Sequence, residues 1–151
     1  MNRAHILLLD PDPVEAEQAQ RAFREAGWEQ RLHVVSDGEE AFAYLLGRGV
    51  YHDRFTYPQP RVILLGATKP DPAAIQVVQA VKQSQDLRRI PVVVLTRACD
   101  KTDLQHWYEV GVNSCLVKPS DFDDFLQLVR MCGAYWLSVN IIPPIPPYPQ
   151  P

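Results

Sequence analysis

The polar side chains best placed for chemistry each follow directly after a short run of aliphatic residues. Asp10 and Asp12 come after the first such run, Thr96 and Arg97 after the fourth, and Lys118 after the fifth. Carboxylates are oxygen ligands for divalent cations, whereas lysine and arginine supply positive charge for pairing with anions. These residues therefore outline a charged site, provided that the fold brings the ends of the runs together.

The third run ends at a residue that has no side chain. In the stretch RVILLGATKP, residues 61–70, Gly66 follows four branched aliphatic residues, and the stretch contains no acid. The next carboxylate, Asp71, lies five residues beyond this tip, where a helix is expected to begin. The third run therefore brings no nucleophile to the site.

Five aliphatic runs alternate with segments in which apolar residues recur every three or four positions. The runs are Ile6–Leu9, Leu32–Val35, Val62–Leu65, Val92–Leu95 and Cys115–Val117. Continuously apolar runs are typical of strands covered on both faces, and the intervening spacing is that of amphipathic helices. This alternation predicts an α/β fold with a parallel sheet between two layers of helices. In such a doubly wound sheet, chemistry takes place at the carboxyl ends of the strands.

The bulk composition is that of a single globular domain. The chain has 151 residues and a net charge of −3, which argues against a sequence-independent grip on nucleic acid. No apolar run approaches the roughly 20 residues of a membrane span, and the N-terminus carries no secretory signal pattern. We therefore expect a cytoplasmic protein that binds neither nucleic acid nor membrane.

The cysteines and histidines do not form a metal motif. Cys99, Cys115 and Cys132 are odd in number and lack the spacing of a metal site, so we expect reduced thiols that act as small apolar residues. The four histidines are scattered, and none has a second ligand four residues on. We expect no metal site from them.

Several stretches together resemble the receiver domain of two-component response regulators over nearly the whole chain. They are HILLLDPDP, SDGEEAFAYL, RVILLGATKPDP, IPVVVLT and GVNSCLVKPSD. The long second loop and the stretch AYWLSVNIIP look closest to the small single-domain regulators that partner bacterial phytochromes. The resemblance implies a flavodoxin-like (βα)5 fold, a doubly wound five-stranded parallel sheet in the order 2-1-3-4-5.

The resemblance also implies roles for the strand tips. In the family, an acid pair after the first strand helps to hold Mg²⁺, and an aspartate at the third tip takes a phosphoryl group from a histidine kinase. A hydroxyl residue after the fourth strand and a lysine after the fifth bind the phosphoryl oxygens. An aromatic residue on the fifth strand rotates to report the change. In-line phosphoryl transfer needs these cations because negative charge spreads over the transferred oxygens.

Four positions depart from this pattern. Pro11 stands where the second acid, the main metal ligand, is expected, and Gly66 occupies the phosphoacceptor position. Cys115 replaces the switch aromatic, and Arg97 stands where the family favours a small residue. The resemblance therefore implies a degenerate receiver with no catalytic residue.

The retained residues could keep family roles or serve the local structure. Asp10 matches the first acid, Thr96 the hydroxyl residue and Lys118 the lysine. Without a third-strand carboxylate, Asp10 and Asp12 would hold Mg²⁺ poorly, so we expect no cofactor and no Mg²⁺. We expect Asp12 to cap the first helix and Lys118 to pair directly with Asp10. Thr96 either bonds to nearby backbone or keeps its role in the site.

These observations favour a binding module that signals by docking, without aspartyl phosphorylation and without enzymatic activity. The protein partner expected from the resemblance is a sensor histidine kinase or a bacterial phytochrome. The alternative is a working phosphorelay receiver with another acceptor, namely Asp10, Asp12 or Thr96. An enzyme of another class is disfavoured, since the first strand–helix turn has no glycine-rich phosphate loop.

The end of the chain is apolar and rich in proline. We divide the chain into a receiver-like domain, residues 1–134, and a tail, residues 135–151, which contains no charged side chain. Such a surface predicts an interface, most simply a twofold homodimer. The interface residues expected on the fourth helix and the tail are Leu104, Trp107, Tyr108, Tyr135, Trp136, Leu137, Ile141 and Ile142. The spacing of the last prolines also fits a PxxP ligand, which is a weaker hypothesis.

Overall fold

The computed structural model describes residues 4–143, which form five strands and five α-helices in alternation. The strands are β1 Ile6–Leu9, β2 Leu32–Val35, β3 Val62–Gly66, β4 Val92–Thr96 and β5 Ser114–Val117. The helices are α1 Pro13–Glu25, α2 Gly38–Leu45, α3 Pro72–Gln83, α4 Lys101–Val110 and α5 Phe122–Ala134. A π-helical turn, Tyr135–Val139, continues from α5. All strand pairs are parallel, and the order β2-β1-β3-β4-β5 confirms the predicted flavodoxin-like sheet.

The sheet separates two apolar clusters, because successive side chains of a strand point to opposite faces. Leu7, Ile63 and Val94 face the cluster that α2, α3 and α4 cover, and Ile6 and Leu64 face the cluster under α1 and α5. The central strands β1, β3 and β4 are buried along their whole length. Burial on both faces explains why the sequences of these three strands are continuously apolar.

The register of the sheet aligns the strand tips in one row. Leu9 pairs with Leu65, so Asp10 follows β1 at the level of Gly66 on β3. Gly66 pairs with Leu95 of β4, and the next residue, Thr96, closes that strand. The Lys118 amide donates a hydrogen bond of 2.6 Å to the Thr96 carbonyl. The row places the charged residues at one carboxyl edge, as predicted.

The loop after α2 is held by its own aromatic and charged side chains. Arg54 donates to the carbonyl oxygens of Tyr44 at 2.7 Å and Leu45 at 3.3 Å, near the end of α2. The rings of Tyr51 and Tyr57 pack on Tyr44, with centroids 5.1 and 5.9 Å away. The Tyr57 ring also packs on His33 of β2, so the loop covers the β2 side of the sheet. No helix within residues 4–143 is long and apolar enough to cross a membrane.

Candidate functional site

The carboxylate of Asp10 fills the space beside Gly66. A Cβ atom built at position 66 would lie 2.5 Å from Asp10 Cγ and 3.0 Å from Asp10 Cβ, far closer than nonbonded carbon atoms approach. One carboxylate oxygen of Asp10, Oδ2, points at this place. The other, Oδ1, accepts a 2.9 Å hydrogen bond from the Asp12 amide. Asp10 is 6% exposed. The side chain of the first acid therefore stands where a residue at the third tip would project.

Burial shifts the protonation equilibrium of the Asp10 carboxyl. Removal from water raises the pKa of this carboxyl, and the hydrogen bond from the Asp12 amide and the charge of Lys118 only partly oppose the rise. Lys118 is thus near Asp10 but does not bond to it among the described contacts. Asp10 is a buried acid stabilised chiefly by one backbone amide.

The partner of Lys118 is Glu15, not Asp10 as expected. Lys118 Nζ donates to Glu15 Oε2 at 2.5 Å, and the Lys118 side chain is only 2% exposed. The physical reason lies in the gap at Gly66. Asp10 turns into that gap, while Glu15 in the first turn of α1 reaches over the edge. The predicted pair is therefore wrong, although a lysine–carboxylate pair does close the site.

Arg97 binds the other oxygen of the same carboxylate. Its Nε donates to Glu15 Oε1 at 2.9 Å, and its terminal nitrogens donate to Gln18 Oε1 at 2.9 Å and to the Pro119 carbonyl at 3.3 Å. Arg97 thereby connects α1 to the segments after β4 and β5. Its position close to the site is as predicted, and it covers the edge where the family pattern expects a small residue.

Two cations hold Glu15 ionised. Burial alone would raise the pKa of Glu15, but hydrogen bonds and charge from Lys118 and Arg97 outweigh it and lower the pKa below the ordinary value. The result is a triad of one carboxylate and two cations, Glu15–Lys118–Arg97. Sequence reasoning missed Glu15 because it is not at a strand tip. The available signal was the position of Glu15 in the sequence. It lies three residues after the helix cap Asp12, in the first turn of α1, where it faces the edge.

The hydroxyl of Thr96 is engaged with backbone. It donates to the Ala98 carbonyl at 3.0 Å and lies 3.4 Å from the Thr68 carbonyl, and Thr96 is 2% exposed. Of the two alternatives left open by the sequence, the structure has the local one. The hydroxyl braces the loop after β4 against the loop after β3.

The first strand–helix turn is built as expected. Asp12 caps α1, since its carboxylate accepts from the amides of Val14 at 2.9 Å and Glu15 at 3.4 Å, and Pro13 opens the helix. Pro11 is exposed and supplies no ligand atom from its side chain. The Asp12 carboxylate is thus used to cap α1 and does not take part in the charged site.

The position of the switch aromatic is packed by a thiol. Cys115 is half-buried and packs against the cluster under α2, α3 and α4. Cys99, in the loop after β4, packs against the same cluster. No ring is present there to move between two positions.

Among the described residues, the carboxylates near the edge do not form a ready cation site. Residues 4–143 contain no group of three histidine, cysteine or acidic side chains that could hold a metal ion. Glu15 is held by two cations, so Asp10 is the carboxylate that a cation entering this edge would meet. A bound cation would supply positive charge for phosphoryl oxygens, and Asp10 would be its ligand from this chain.

The expected interface residues separate into two groups. Leu104, Tyr108, Tyr135 and Ile141 are exposed by 40, 49, 47 and 90%, and Trp136 and Ile142 are partly buried. In contrast, Trp107 is 1% exposed and Leu137 6%, because each packs into one of the two core clusters. These two residues are corrections to the predicted interface. Residues 144–151, which hold five of the six prolines of the tail, lie outside the described part of the chain.

Comparison with known proteins places this geometry in a family. No protein-family model matches the chain. The response regulator Rcp1 of Synechocystis is 31% identical over 138 residues, which cover 91% of this chain and 92% of Rcp1. The chain belongs to the response regulators of two-component signalling. A second relative, the probable methanogenesis regulatory protein FilR2 of Methanothrix harundinacea, is 36% identical over 91% of this chain and 86% of that protein.

Solved structures of response regulators share the receiver fold. The phosphorylated cyanobacterial phytochrome response regulator RcpA has a TM-score of 0.79 at 29% identity, over 95% of this chain and 100% of that one. The Mn²⁺-bound form of Rcp1 has a TM-score of 0.75 at 30% identity, with the same coverage. The chain is thus a receiver domain, as the strand tips predicted.

The Mn²⁺-bound Rcp1 structure also corrects an expectation. We expected no cofactor and no Mg²⁺, because two of the three family acids are missing. That expectation is wrong as a guide to this family, since a relative similar over its whole length binds a divalent cation and receivers normally bind Mg²⁺. In this chain the first acid, Asp10, remains at the edge and would be the ligand offered to such a cation.

Proposed function

We propose that this receiver signals by docking to a protein partner without forming an aspartyl phosphate. The observation that carries the proposal is the position of Asp10, whose carboxylate takes the space beside Gly66. The tip of β3 offers neither a nucleophile nor room for one. The receiver would then act as a non-enzymatic interaction module with a fixed site.

The cations of the site support the same conclusion. Phosphoryl transfer requires positive groups that are free to neutralise the charge spreading over the transferred oxygens. Here Glu15 binds both Lys118 and Arg97, at 2.5 and 2.9 Å. An incoming phosphoryl group would have to displace a carboxylate that already satisfies them. The triad therefore acts as an internal substitute for a bound anion.

The partner we propose is a sensor histidine kinase or a phytochrome. Its support is the likeness over 95% of this chain to RcpA, a cyanobacterial phytochrome response regulator. In this proposal the remnant residues Asp10, Thr96 and Lys118 stabilise the docking surface, and no group is transferred. The division into a domain of residues 1–134 and a tail of residues 135–151 remains a prediction.

We also propose a homodimer through the exposed apolar side chains of α4 and the segment after α5. The exposed side chains are Leu104, Tyr108, Tyr135 and Ile141, and the partly buried Trp136 and Ile142 lie beside them in the chain. Sedimentation at tens of micromolar should give twice the chain mass. Because Leu137 is part of the core, point variants such as Tyr135→Glu and Ile141→Glu are better tests than deletion of the tail. A wild-type monomer at this concentration would rule the dimer out.

One alternative acceptor has a structural observation in its favour. Asp10 brings a carboxylate to the place of the missing residue, whereas Asp12 caps α1 and the Thr96 hydroxyl donates to backbone. A phosphorelay receiver that uses Asp10 is therefore the second candidate function. Its raised pKa makes Asp10 a more basic carboxylate than usual, but its burial limits access.

Intact-mass measurement after treatment with acetyl phosphate and Mg²⁺ separates the two candidates. Docking without phosphorylation predicts an unchanged mass for the wild type. A gain of one phosphoryl group that disappears in Asp10→Asn would establish the alternative. RcpA, which has been solved in a phosphorylated form, serves as the positive control for the donor.

A further inference from the structure

The Lys82 side chain is held at the amino end of the sheet, opposite the charged edge. It comes from the last turn of α3, and its Nζ donates hydrogen bonds to Asn113 Oδ1 at 2.8 Å and to the Ile90 carbonyl at 3.3 Å. Ile90 lies two residues before β4, and Asn113 lies directly before β5. The amine is therefore fixed between the starts of two neighbouring strands.

The start of β4 fixes the orientation of the Asn113 side chain. The Val92 N–H donates to Asn113 Oδ1 at 2.9 Å, and the Asn113 N–H donates to the Val92 carbonyl at 2.8 Å. Because the Val92 amide needs an acceptor, the atom that also meets Lys82 is the amide oxygen. A neutral lysine amine has two N–H donors and one lone pair. Two acceptors satisfy both donors and leave the lone pair for an electrophile.

The four lysines of the chain differ in their partners. Lys118 is buried beside a carboxylate, and a hydrogen bond to another carboxylate raises the pKa of Lys69. Lys101 is exposed at the first position of α4. Within residues 4–143, the hydrogen-bond partners of Lys82 are instead two uncharged oxygens.

The surroundings of Lys82 favour its uncharged form. The side chain is half-buried, and its Cγ lies 3.3 Å from the place of a Cβ atom on Gly111, which ends α4. Removal from water lowers the pKa of the Lys82 ammonium below its ordinary value. The free amine is the nucleophilic form of lysine, and desolvation is one way in which proteins activate it.

We propose that Lys82 is a site of N-acetylation by acyl phosphates, of which acetyl phosphate is the simplest. The Nζ lone pair attacks the acetyl carbon, so that an N–C bond forms and the C–O bond to the phosphate breaks. Inorganic phosphate leaves and takes up the proton that the nitrogen loses. The segment that supplies the Ile90 carbonyl carries exposed Arg88 and Arg89 against one exposed acid, Asp86. This excess of positive charge favours an anionic acyl donor.

Acetylation would change the contacts that support the end of α4. An amide nitrogen keeps a single N–H, so one of the two hydrogen bonds of Lys82 Nζ would be lost. The same side chain packs on Gly111, and α4 carries the exposed Leu104 and Tyr108 of the proposed interface. The modification lies at the opposite end of the sheet from Asp10. The inference therefore does not depend on the proposed lack of phosphorylation.

Peptide mass spectrometry of the full chain after brief treatment with acetyl phosphate, without Mg²⁺, tests the proposal. The acetylation rates of the four lysines are compared within one sample. We expect Lys82 to react several-fold faster than the exposed Lys101, and Lys69 and Lys118 to react more slowly still. An acetyl amide resists hydroxylamine and differs in mass from a phosphoryl group, so acetylation and phosphorylation are counted separately. A rate at Lys82 no higher than at Lys101 would overturn the proposal.

Asn113→Asp tests whether the uncharged partner matters. The aspartate has nearly the same shape and still accepts from Val92 and Lys82, but it places a negative charge beside Nζ. The ammonium form is then stabilised, so acetylation of Lys82 should fall several-fold while that of Lys101 stays the same. Lys82→Arg should remove the fast site and leave the other three lysines unchanged. An equally fast reaction at Lys82 in folded Asn113→Asp would contradict the proposal, and the wild-type comparison decides it without any variant.

Discussion

The carboxylate of Asp10 lies in the space that a side chain at position 66 would need. Asp10 Cγ is 2.5 Å from the place of a Cβ atom on Gly66, and the Asp12 amide holds the opposite oxygen at 2.9 Å. In a receiver with an acid at both positions, the two carboxylates would have to stand apart. Loss of the side chain at the third tip therefore lets the first acid fold into the gap.

The first prediction concerns this contact. Gly66→Ala should lower the free energy of unfolding by roughly 1–3 kcal/mol, because the added methyl group overpacks against Asp10 and forces it off its amide. Asp10→Ala removes Cγ and the carboxylate, so the same glycine substitution should cost clearly less in that background. Denaturant unfolding of the four proteins of the cycle measures the difference. Equal costs in both backgrounds would show that Asp10 does not occupy the gap.

The second prediction concerns the cation of the triad. Lys118→Met keeps most of the side-chain volume but leaves Glu15 with Arg97 alone, so it should destabilise the fold by roughly 1–3 kcal/mol. Lys69→Met is the matched control. Lys69 also pairs with a carboxylate at 2.9 Å, that of Asp103, but its side chain is 63% exposed, so solvent screens the pair and its loss should cost little stability. A Lys118→Met protein as stable as the control would remove the energetic role given to the triad.

The third prediction is the pH dependence that Glu15 contributes. Its pKa is lower in the folded than in the unfolded protein, so its stabilising effect is full above the ordinary value of 4.5. The effect is lost as the pH falls through the lower, folded pKa. Glu15→Gln should therefore be less stable than wild type near neutral pH, and the difference should shrink in acid. Glu17→Gln, at an exposed position on the same helix, should show no such convergence.

Much of the fold was predictable because its signals are local. The continuous apolar runs identify strands buried on both faces, and Asp12 followed by Pro13 marks the start of α1. Once the strands are parallel, their carboxyl ends meet at one edge, so Asp10, Gly66, Thr96 and Lys118 had to be neighbours. Strand order and the row of tips follow from these features together with the family resemblance.

The pairings within the site were not predictable from strand tips. Glu15 binds Lys118 because Asp10 has turned toward Gly66, and that choice depends on a vacant volume rather than on residue types. The sequence pattern also misplaced Trp107. This aromatic residue of the amphipathic helix α4 was predicted to lie at an interface, but it packs in the core.

The site should not respond to an analogue of an aspartyl phosphate, and beryllofluoride tests this most directly. Beryllofluoride mimics the phosphoryl group on a carboxylate, so amide NMR spectra with Mg²⁺ alone and with Mg²⁺ plus beryllofluoride isolate its effect. We predict identical spectra for the wild type. Gly66→Asp should not create a response, because the new carboxylate meets Asp10 and Pro11 still lacks an acid. Widespread shifts across residues 96–118 of the wild type would contradict the account.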